Sequence, residues 1–140
     1  MDPLDVESAA LPVIDDAGTL APKLGMEFLE LGPDRVVARM PVAGNTQPYG
    51  LLHGGATAAL CETVASLGTA ISVGLDKKVM GIELNINHIR AVGDGFVTAT
   101  GVAVHVGKTT AVWDMRVTDD GGRLIAVSRL TVVIRHPDRG

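Results

Sequence analysis

The stretch Gln47-Pro48-Tyr49-Gly50-Leu51-Leu52-His53-Gly54-Gly55-Ala56 opens a long run of apolar and small residues. The run predicts one helix over Gly54–Val73 that ends at Gly74, where a left-handed C-cap is expected. Its apolar character on all sides is typical of a helix buried in a protein core. A membrane span is disfavoured because Glu62 would place a carboxylate near the bilayer centre and no basic residue flanks the run before Lys77.

Strand patterns lie on both sides of this helix. Two precede it, Met26–Leu31 and Arg35–Val42, with the hairpin signal Gly32-Pro33-Asp34 between them. Four follow it, separated by glycine-containing turns: Val79–Ala91, Phe96–Val106, Thr109–Thr118 and Arg123–Arg135. Because successive hairpins build an antiparallel sheet, we expect an α+β architecture in which one apolar helix packs against one sheet. Small helix residues such as Ala58 and Gly68 would let a curved sheet wrap closely around the helix.

Composition limits the possible functions. The 140 residues make one domain's worth of chain, which we divide into an N-terminal lead-in, 1–24, and a folded domain, 25–140. The formal charge of −4 and the four aromatic residues argue against a nucleic-acid partner. The first sixteen residues contain five acidic residues and no Lys or Arg, which predicts a cytoplasmic protein without a targeting segment. A single Cys61 fits a reducing compartment.

The start of the helix predicts an anion site. Gly54 and Gly55 follow His53 where the first backbone N–H groups of the helix lack intrahelical acceptors. Those groups carry the positive end of the helix dipole and suit a developing oxyanion. A purely structural role is the alternative to an anion site. In that case the glycines only permit a tight turn into the helix, and His53 is a structural histidine.

Glu62 is the candidate catalytic group. It lies in the apolar middle of the helix without a basic neighbour in sequence, and an apolar wall would raise its pKa toward that of a base or nucleophile. Ser66 follows one turn later and could orient the carboxylate or a water molecule. The alternatives are that Glu62 lies on an exposed stripe and that Ser66 bonds back to the helix.

Spacing points to two chains per site. Glu62 lies eight residues after Gly54, a separation of ~12 Å along the helix axis. One carbonyl group cannot easily contact both positions of the same helix. Antiparallel helices of two subunits would bring one helix start opposite the other helix's Glu62, so a symmetric dimer is expected as the minimum unit and a tetramer as its further assembly.

The combined motifs resemble the hotdog-fold acyl-CoA thioesterases. The stretch 47–56 with Glu62 and Ser66, and then Glu83-Leu84-Asn85-Ile86-Asn87-His88-Ile89-Arg90-Ala91, is similar to the PaaI-like and 4-hydroxybenzoyl-CoA thioesterase branch. That branch includes 1,4-dihydroxy-2-naphthoyl-CoA hydrolases and enterobactin proofreading thioesterases. The resemblance covers roughly residues 25–135 and implies hydrolysis of an acyl-CoA thioester to the free acid and CoA.

The resemblance also implies residue roles. Glu62 is the expected nucleophile or general base, the Gly54 N–H polarises the carbonyl, and Gln47, His53 and Ser66 surround the thioester and water. Substrate and CoA contacts are expected, in chain order, from Gly55, Met80, Gly81, His88, Arg90, Val106, Lys108 and Thr109. Neither a cofactor nor a metal is expected, since His88, His105 and His136 lack metal-ligand spacing with Cys61. A hotdog dehydratase or hydratase and a non-catalytic acyl-CoA-binding subunit are the alternatives.

Overall fold

The computed structural model describes residues 16–138, which form two helices and six strands. The helices are α1, Leu20–Lys23, and α2, Gly54–Val73. The strands are β1, Glu27–Leu31; β2, Arg35–Pro41; β3, Lys78–His88; β4, Phe96–Val106; β5, Thr110–Asp119; and β6, Leu124–Arg135.

The strands form one antiparallel sheet in the order β1-β2-β4-β5-β6-β3. The sequence predicts four strands joined by three consecutive hairpins after α2, and this prediction is wrong for the first hairpin, because β3 does not pair with β4. Both edges of β4 are occupied, by β2 and by β5, so β3 pairs with the free edge of β6 instead. The turn around Gly95, whose φ is +74°, exists but carries the chain between non-adjacent strands.

The concave side of the sheet covers α2. The helix contacts β2, β3, β4, β5 and β6, and eight of its residues are buried. The helix has the length and hydropathy of a membrane-spanning helix. In its most apolar 18-residue stretch, 44% of the residues are buried inside the domain. Gly68 lets the indole of Trp113 approach, because a Cβ there would lie 2.3 Å from Trp113 Cη2. The predicted α+β arrangement of one helix and one wrapping sheet is confirmed.

The boundaries of α2 agree with the prediction, but its C-terminal cap differs. Gly74 has a positive φ of +102°, as expected, while its ψ of +145° lies outside the left-handed helical region. Its N–H still bonds to the carbonyl of Ala70. The chain therefore leaves the helix in an extended direction toward β3.

Residues 16–24 lie against the domain that they precede. Ala21 and Leu24 pack on the core, and Asn45 Nδ2 donates to the carbonyl of Leu24 at 2.7 Å. The Met26 N–H bonds to the Ala21 carbonyl at 3.0 Å. Most of the predicted lead-in, residues 1–15, lies outside the described residues, and the boundary at residue 24 stays a prediction.

Candidate active site

His53 is the N-cap of α2. Its Nδ1 accepts the Gly55 N–H at 2.8 Å, and its carbonyl accepts the N–H groups of Ala56 and Thr57. Because Nδ1 is the acceptor, the proton of the neutral ring lies on Nε2. Within residues 16–138, the Gly54 N–H has no hydrogen-bond partner. The Gly54 N–H is therefore available to an oxyanion, whereas the Gly55 N–H is not.

The loop before the helix orients the Gln47 side chain. The Gln47 N–H bonds to the Leu51 carbonyl at 2.8 Å, and the Gly50 N–H bonds to the Gln47 carbonyl at 3.0 Å. The side-chain Oε1 accepts the N–H of Tyr49. Its amide NH₂ has no partner in the part of the chain that the structure describes, so this group is the available donor.

A pocket of about 350 Å³ joins this loop to the end of β3. We call it the Gly54 pocket, and its wall contains Gln47, Gly54, His88 and Arg90. The His88 ring lies over the helix start, because a Cβ on Gly54 would come within 2.8 Å of His88 Nε2. The guanidinium of Arg90 pairs with no carboxylate among residues 16–138. This pocket therefore offers hydrogen-bond donors and positive charge.

A second pocket, of about 640 Å³, contains Glu62. The residues that line this Glu62 pocket come from the segment that ends with β1, from α2 and from β3: Asp16, Leu20, Ala21, Phe28, Leu31, Glu62, Thr63, Ser66, Leu67, Met80 and Gly81. Glu62 is exposed in the single chain, so the prediction that it is buried in an apolar wall is wrong for one chain. The helix turns this position away from the sheet's concave face and toward the β3 side, where the pocket opens. No ion pair or hydrogen bond to the carboxylate exists within residues 16–138.

Ser66 and Gly81 lie beside Glu62. Thr63 and Thr69 bond back to helix carbonyls at 2.8 Å, but the Ser66 hydroxyl has no such bond and faces the pocket free of described partners. A Cβ on Gly81 would lie 2.6 Å from Glu62 Oε1. The absence of a side chain at Gly81 thus makes room for the carboxylate.

The other predicted contact residues lie elsewhere in one chain. His53 and Gly55 line a shallow groove beside Ala56 and Ala59. Val106, Lys108 and Thr109 lie at the β4–β5 turn and line none of these pockets. The single chain therefore divides the predicted site into separate groups.

Two other chemistries find no support at the helix. Cys61, next to Glu62, is fully buried, and burial raises the pKa of its thiol to about 12. Such a thiol stays protonated at neutral pH and is not a nucleophile. Over residues 16–138, no three His, Cys, Asp or Glu side chains gather as metal ligands.

Several pocket residues were not predicted from the sequence. Thr63 and Leu67 share the helix face of Glu62 and Ser66, a pattern that the three- and four-residue helical spacing could have indicated. Leu20, Phe28 and Leu31 come from elements distant in sequence. Only the tertiary fold brings them to the pocket.

Comparison with known proteins identifies the family. Residues 49–126, more than half of the chain, match the thioesterase superfamily. The chain is 38% identical to the 1,4-dihydroxy-2-naphthoyl-CoA hydrolase of Listeria monocytogenes, over 80% of this chain and 92% of that protein. It is 40% identical to the proofreading thioesterase EntH of Cronobacter turicensis, over 84% and 86% of the two chains.

A solved structure shows the same fold. The thioesterase SAV0944 of Staphylococcus aureus superposes with a TM-score of 0.80 at 41% identity, covering 82% of this chain and 97% of that one. Its structures include one variant with a glutamine replaced by alanine and one with a glutamate replaced by alanine. Those two positions are fifteen residues apart, as are Gln47 and Glu62. With its helix wrapped by an antiparallel sheet, this chain belongs to the thioesterase superfamily, has the hotdog fold and is a thioester hydrolase.

Proposed function

We propose that the protein hydrolyses acyl-CoA thioesters to the free carboxylic acid and CoA, with Glu62 as the catalytic carboxylate. The observation that carries this proposal is the Glu62 carboxylate itself, unpaired within residues 16–138 at the opening of a largely apolar pocket. Similarity to hydrolases named for CoA thioesters supports the substrate class.

The free donors around the helix start suit the thioester carbonyl. The Gly54 N–H and the Gln47 amide would stabilise negative charge as it develops on the carbonyl oxygen. In one route, Glu62 would take a proton from a water molecule that attacks the carbonyl carbon and expels CoA as the thiol. In the other, Glu62 would attack the carbonyl carbon and release CoA, and water would then hydrolyse the resulting anhydride to the free acid and regenerate Glu62. Both routes consume one water molecule per thioester. The Ser66 hydroxyl is placed to orient that water or the carboxylate.

We further propose that two chains build each site. Gly54 and Glu62 line different pockets and are ~12 Å apart along one helix. Strand β3 forms one edge of the sheet, and its Met80 and Ile82 are 46% and 61% exposed. Such an edge favours pairing with a second copy, which would bring the Glu62 pocket to the partner's helix start. A dimer is then the active unit, and a tetramer is its proposed further assembly.

The dehydratase or hydratase alternative is less well supported. That chemistry would assign the proton exchange with the substrate to His53, the histidine of the loop before the helix. Here His53 Nδ1 is occupied by the Gly55 N–H, which leaves only the Nε2–H as a donor. The acyl-CoA-binding alternative predicts complex formation without turnover.

The test is a panel of acyl-CoA substrates in which free thiol release is measured for the wild type and for Glu62→Gln. We expect Glu62→Gln to lower kcat by ~10²-fold or more, the usual scale for loss of an acid–base group. Its melting temperature should stay unchanged because the side chain is exposed and unpaired.

The matched control is Glu30→Gln, which removes only a surface ion pair with Arg35 and should keep full activity. Near-normal turnover by a folded Glu62→Gln variant would refute the assignment of Glu62. Binding of acyl-CoA without thiol release by the wild type would favour the binding subunit.

A further inference from the structure

Asn45 is a buried polar residue that the proposed reaction does not use. It lies in the loop between β2 and α2 and is only 8% exposed. Its Nδ2 donates to the Leu24 carbonyl at 2.7 Å and to the Pro41 carbonyl at 2.8 Å. A primary amide has two N–H hydrogens, so each carbonyl receives one of them. Removing the amide would take a donor from both carbonyl groups in a partly buried region, which is a costly change.

The backbone of Asn45 also holds the start of α2. Its carbonyl accepts the N–H of His53, the N-cap residue, at 2.9 Å. Gln47 lies two residues after Asn45 along the chain, and Gly54 directly follows His53. The two donors proposed for the thioester carbonyl are therefore next to the groups that Asn45 fixes.

Hydrogen bonds attach this loop to the domain on two sides. On one side, the Leu52 N–H bonds to the Val92 carbonyl at 2.7 Å. On the other side, the Asn45 amide binds the carbonyl of Leu24, which precedes β1 and lines the shallow groove together with His53. Loss of the Asn45 amide would release the second side, which is the side of the helix start.

We propose that Asn45 is a positioning residue for thioester hydrolysis. Its amide fixes the loop so that the Gln47 amide and the Gly54 N–H are directed at one carbonyl oxygen. This inference rests on the proposed function, in which those donors stabilise the developing negative charge. Asn45 lines neither the Gly54 pocket nor the Glu62 pocket, so it acts on the substrate through Gln47 and His53.

The kinetic test compares Asn45→Ala, which removes both side-chain hydrogen bonds, with Asn45→Ser, whose hydroxyl can donate one. The substrate is the acyl-CoA that the wild type hydrolyses fastest. We expect Asn45→Ala to lower kcat by about tenfold to 10²-fold, since a displacement of ~1 Å can cost that much. KM should change by less than about threefold, because donors that act mainly in the transition state affect kcat. The kcat of Asn45→Ser should lie between those of the wild type and Asn45→Ala.

Val117→Ala serves as the control for stability. Val117 is fully buried in β5 and lines neither pocket, so its truncation destabilises the core without touching the loop. Every variant is assayed well below its own melting temperature. The control should keep the wild-type kcat, which separates a loss of stability from a loss of positioning.

Infrared spectroscopy of a bound ketone examines the two donors themselves. Phenacyl-CoA has a methylene group between its sulfur and its ketone carbonyl, so it cannot be hydrolysed as a thioester. Hydrogen bonds from Gln47 and Gly54 would polarise this carbonyl group and lower its stretching frequency. We expect a higher frequency in Asn45→Ala than in the wild type, and the wild-type frequency in Val117→Ala.

A wild-type kcat and an unchanged carbonyl frequency in folded Asn45→Ala would overturn the inference and show that Asn45 only stabilises the fold. If Asn45→Ala does not fold, the same two measurements on Asn45→Ser decide. The proposed hydrolysis would still stand after such a result. If the wild type hydrolyses no acyl-CoA, the proposed function fails instead, and the carbonyl frequency of bound phenacyl-CoA still tests the role of Asn45.

Discussion

At the scale of single residues, His53 combines a structural and a chemical capacity in one imidazole ring. Nδ1 caps the helix by accepting the Gly55 N–H, and this bond leaves the Nε2–H as a donor. Removing the ring should therefore affect both the stability of the fold and any contact with the substrate. The two effects can be separated because they depend on different ring nitrogens.

We predict that His53→Ala lowers the melting temperature by a few degrees, since loss of an N-cap costs about 1 kcal/mol. Its kcat/KM should fall less than that of Glu62→Gln, because the Gly54 backbone donor remains, and Gln47→Ala should behave likewise. His53→Asn retains a capping oxygen and should recover the melting temperature without the imidazole donor. A larger loss of activity in His53→Ala than in Glu62→Gln would instead indicate that His53 is the base.

At the scale of elements, the site depends on how closely β3 approaches α2. Gly81 lies under the Glu62 carboxylate, next to the β3 bulge between Gly81 and Glu83. A side chain at position 81 would occupy the space of the carboxylate. The strand therefore positions the proposed catalytic group, which it does not itself carry.

We predict that Gly81→Ala lowers kcat by ~10²-fold, since a displacement of about 1 Å at a catalytic group can cost that much. The added Cβ would also lie 3.0 Å from Cδ1 of the fully buried Leu130, so the core must shift slightly, and kcat is compared at a temperature well below the measured melting temperature of the variant. The control is Gly93→Ala, where the nearest atom would be 3.8 Å away. Wild-type kcat in Gly81→Ala would mean that Glu62 functions from another position.

The sequence predicted the elements better than their arrangement. The ends of α2 and β4 were predicted to the residue because glycines and turn residues mark them. Pairing of β3 with β6 was missed because strand order depends on which sheet edges stay free, a non-local property. The exposure of Glu62 was missed because an apolar helix gives no indication of which face meets the sheet. The contact between Gly81 and Glu62 had no signal in sequence spacing.

At the scale of the whole molecule, one chain holds two separate pockets, which the proposed dimer would use as half-sites. The Gly54 pocket and the Glu62 pocket each contain part of the proposed machinery. A symmetric dimer would contain two complete sites, each with Glu62 from one chain and Gln47, His53 and Gly54 from the other. The tetrameric assembly and the cytoplasmic location stay predictions.

We predict that mixing inactive Glu62→Gln and inactive Gly54→Pro subunits restores about a quarter of wild-type activity, because half of the dimers are mixed and each has one intact site. Proline is tolerated at the first helical position, and the His88 ring that it would displace lies in the same half-site. Subunit exchange and native folding of both variants are checked first. Absence of recovery after proven exchange would mean that each chain builds its own site.

The burial of Cys61 has a practical consequence for every assay described above. It is the sole cysteine of the sequence, it is inaccessible in the fold, and its thiol resists ionisation. A thiol-reactive dye added to the native enzyme should therefore report released CoA without background from the protein. In the absence of substrate, the reaction rate of the same dye with Cys61 measures the rate of unfolding, because Cys61 reacts only when the helix leaves the sheet. A single thiol-reactive dye can thus measure both thioester hydrolysis and the opening of the fold.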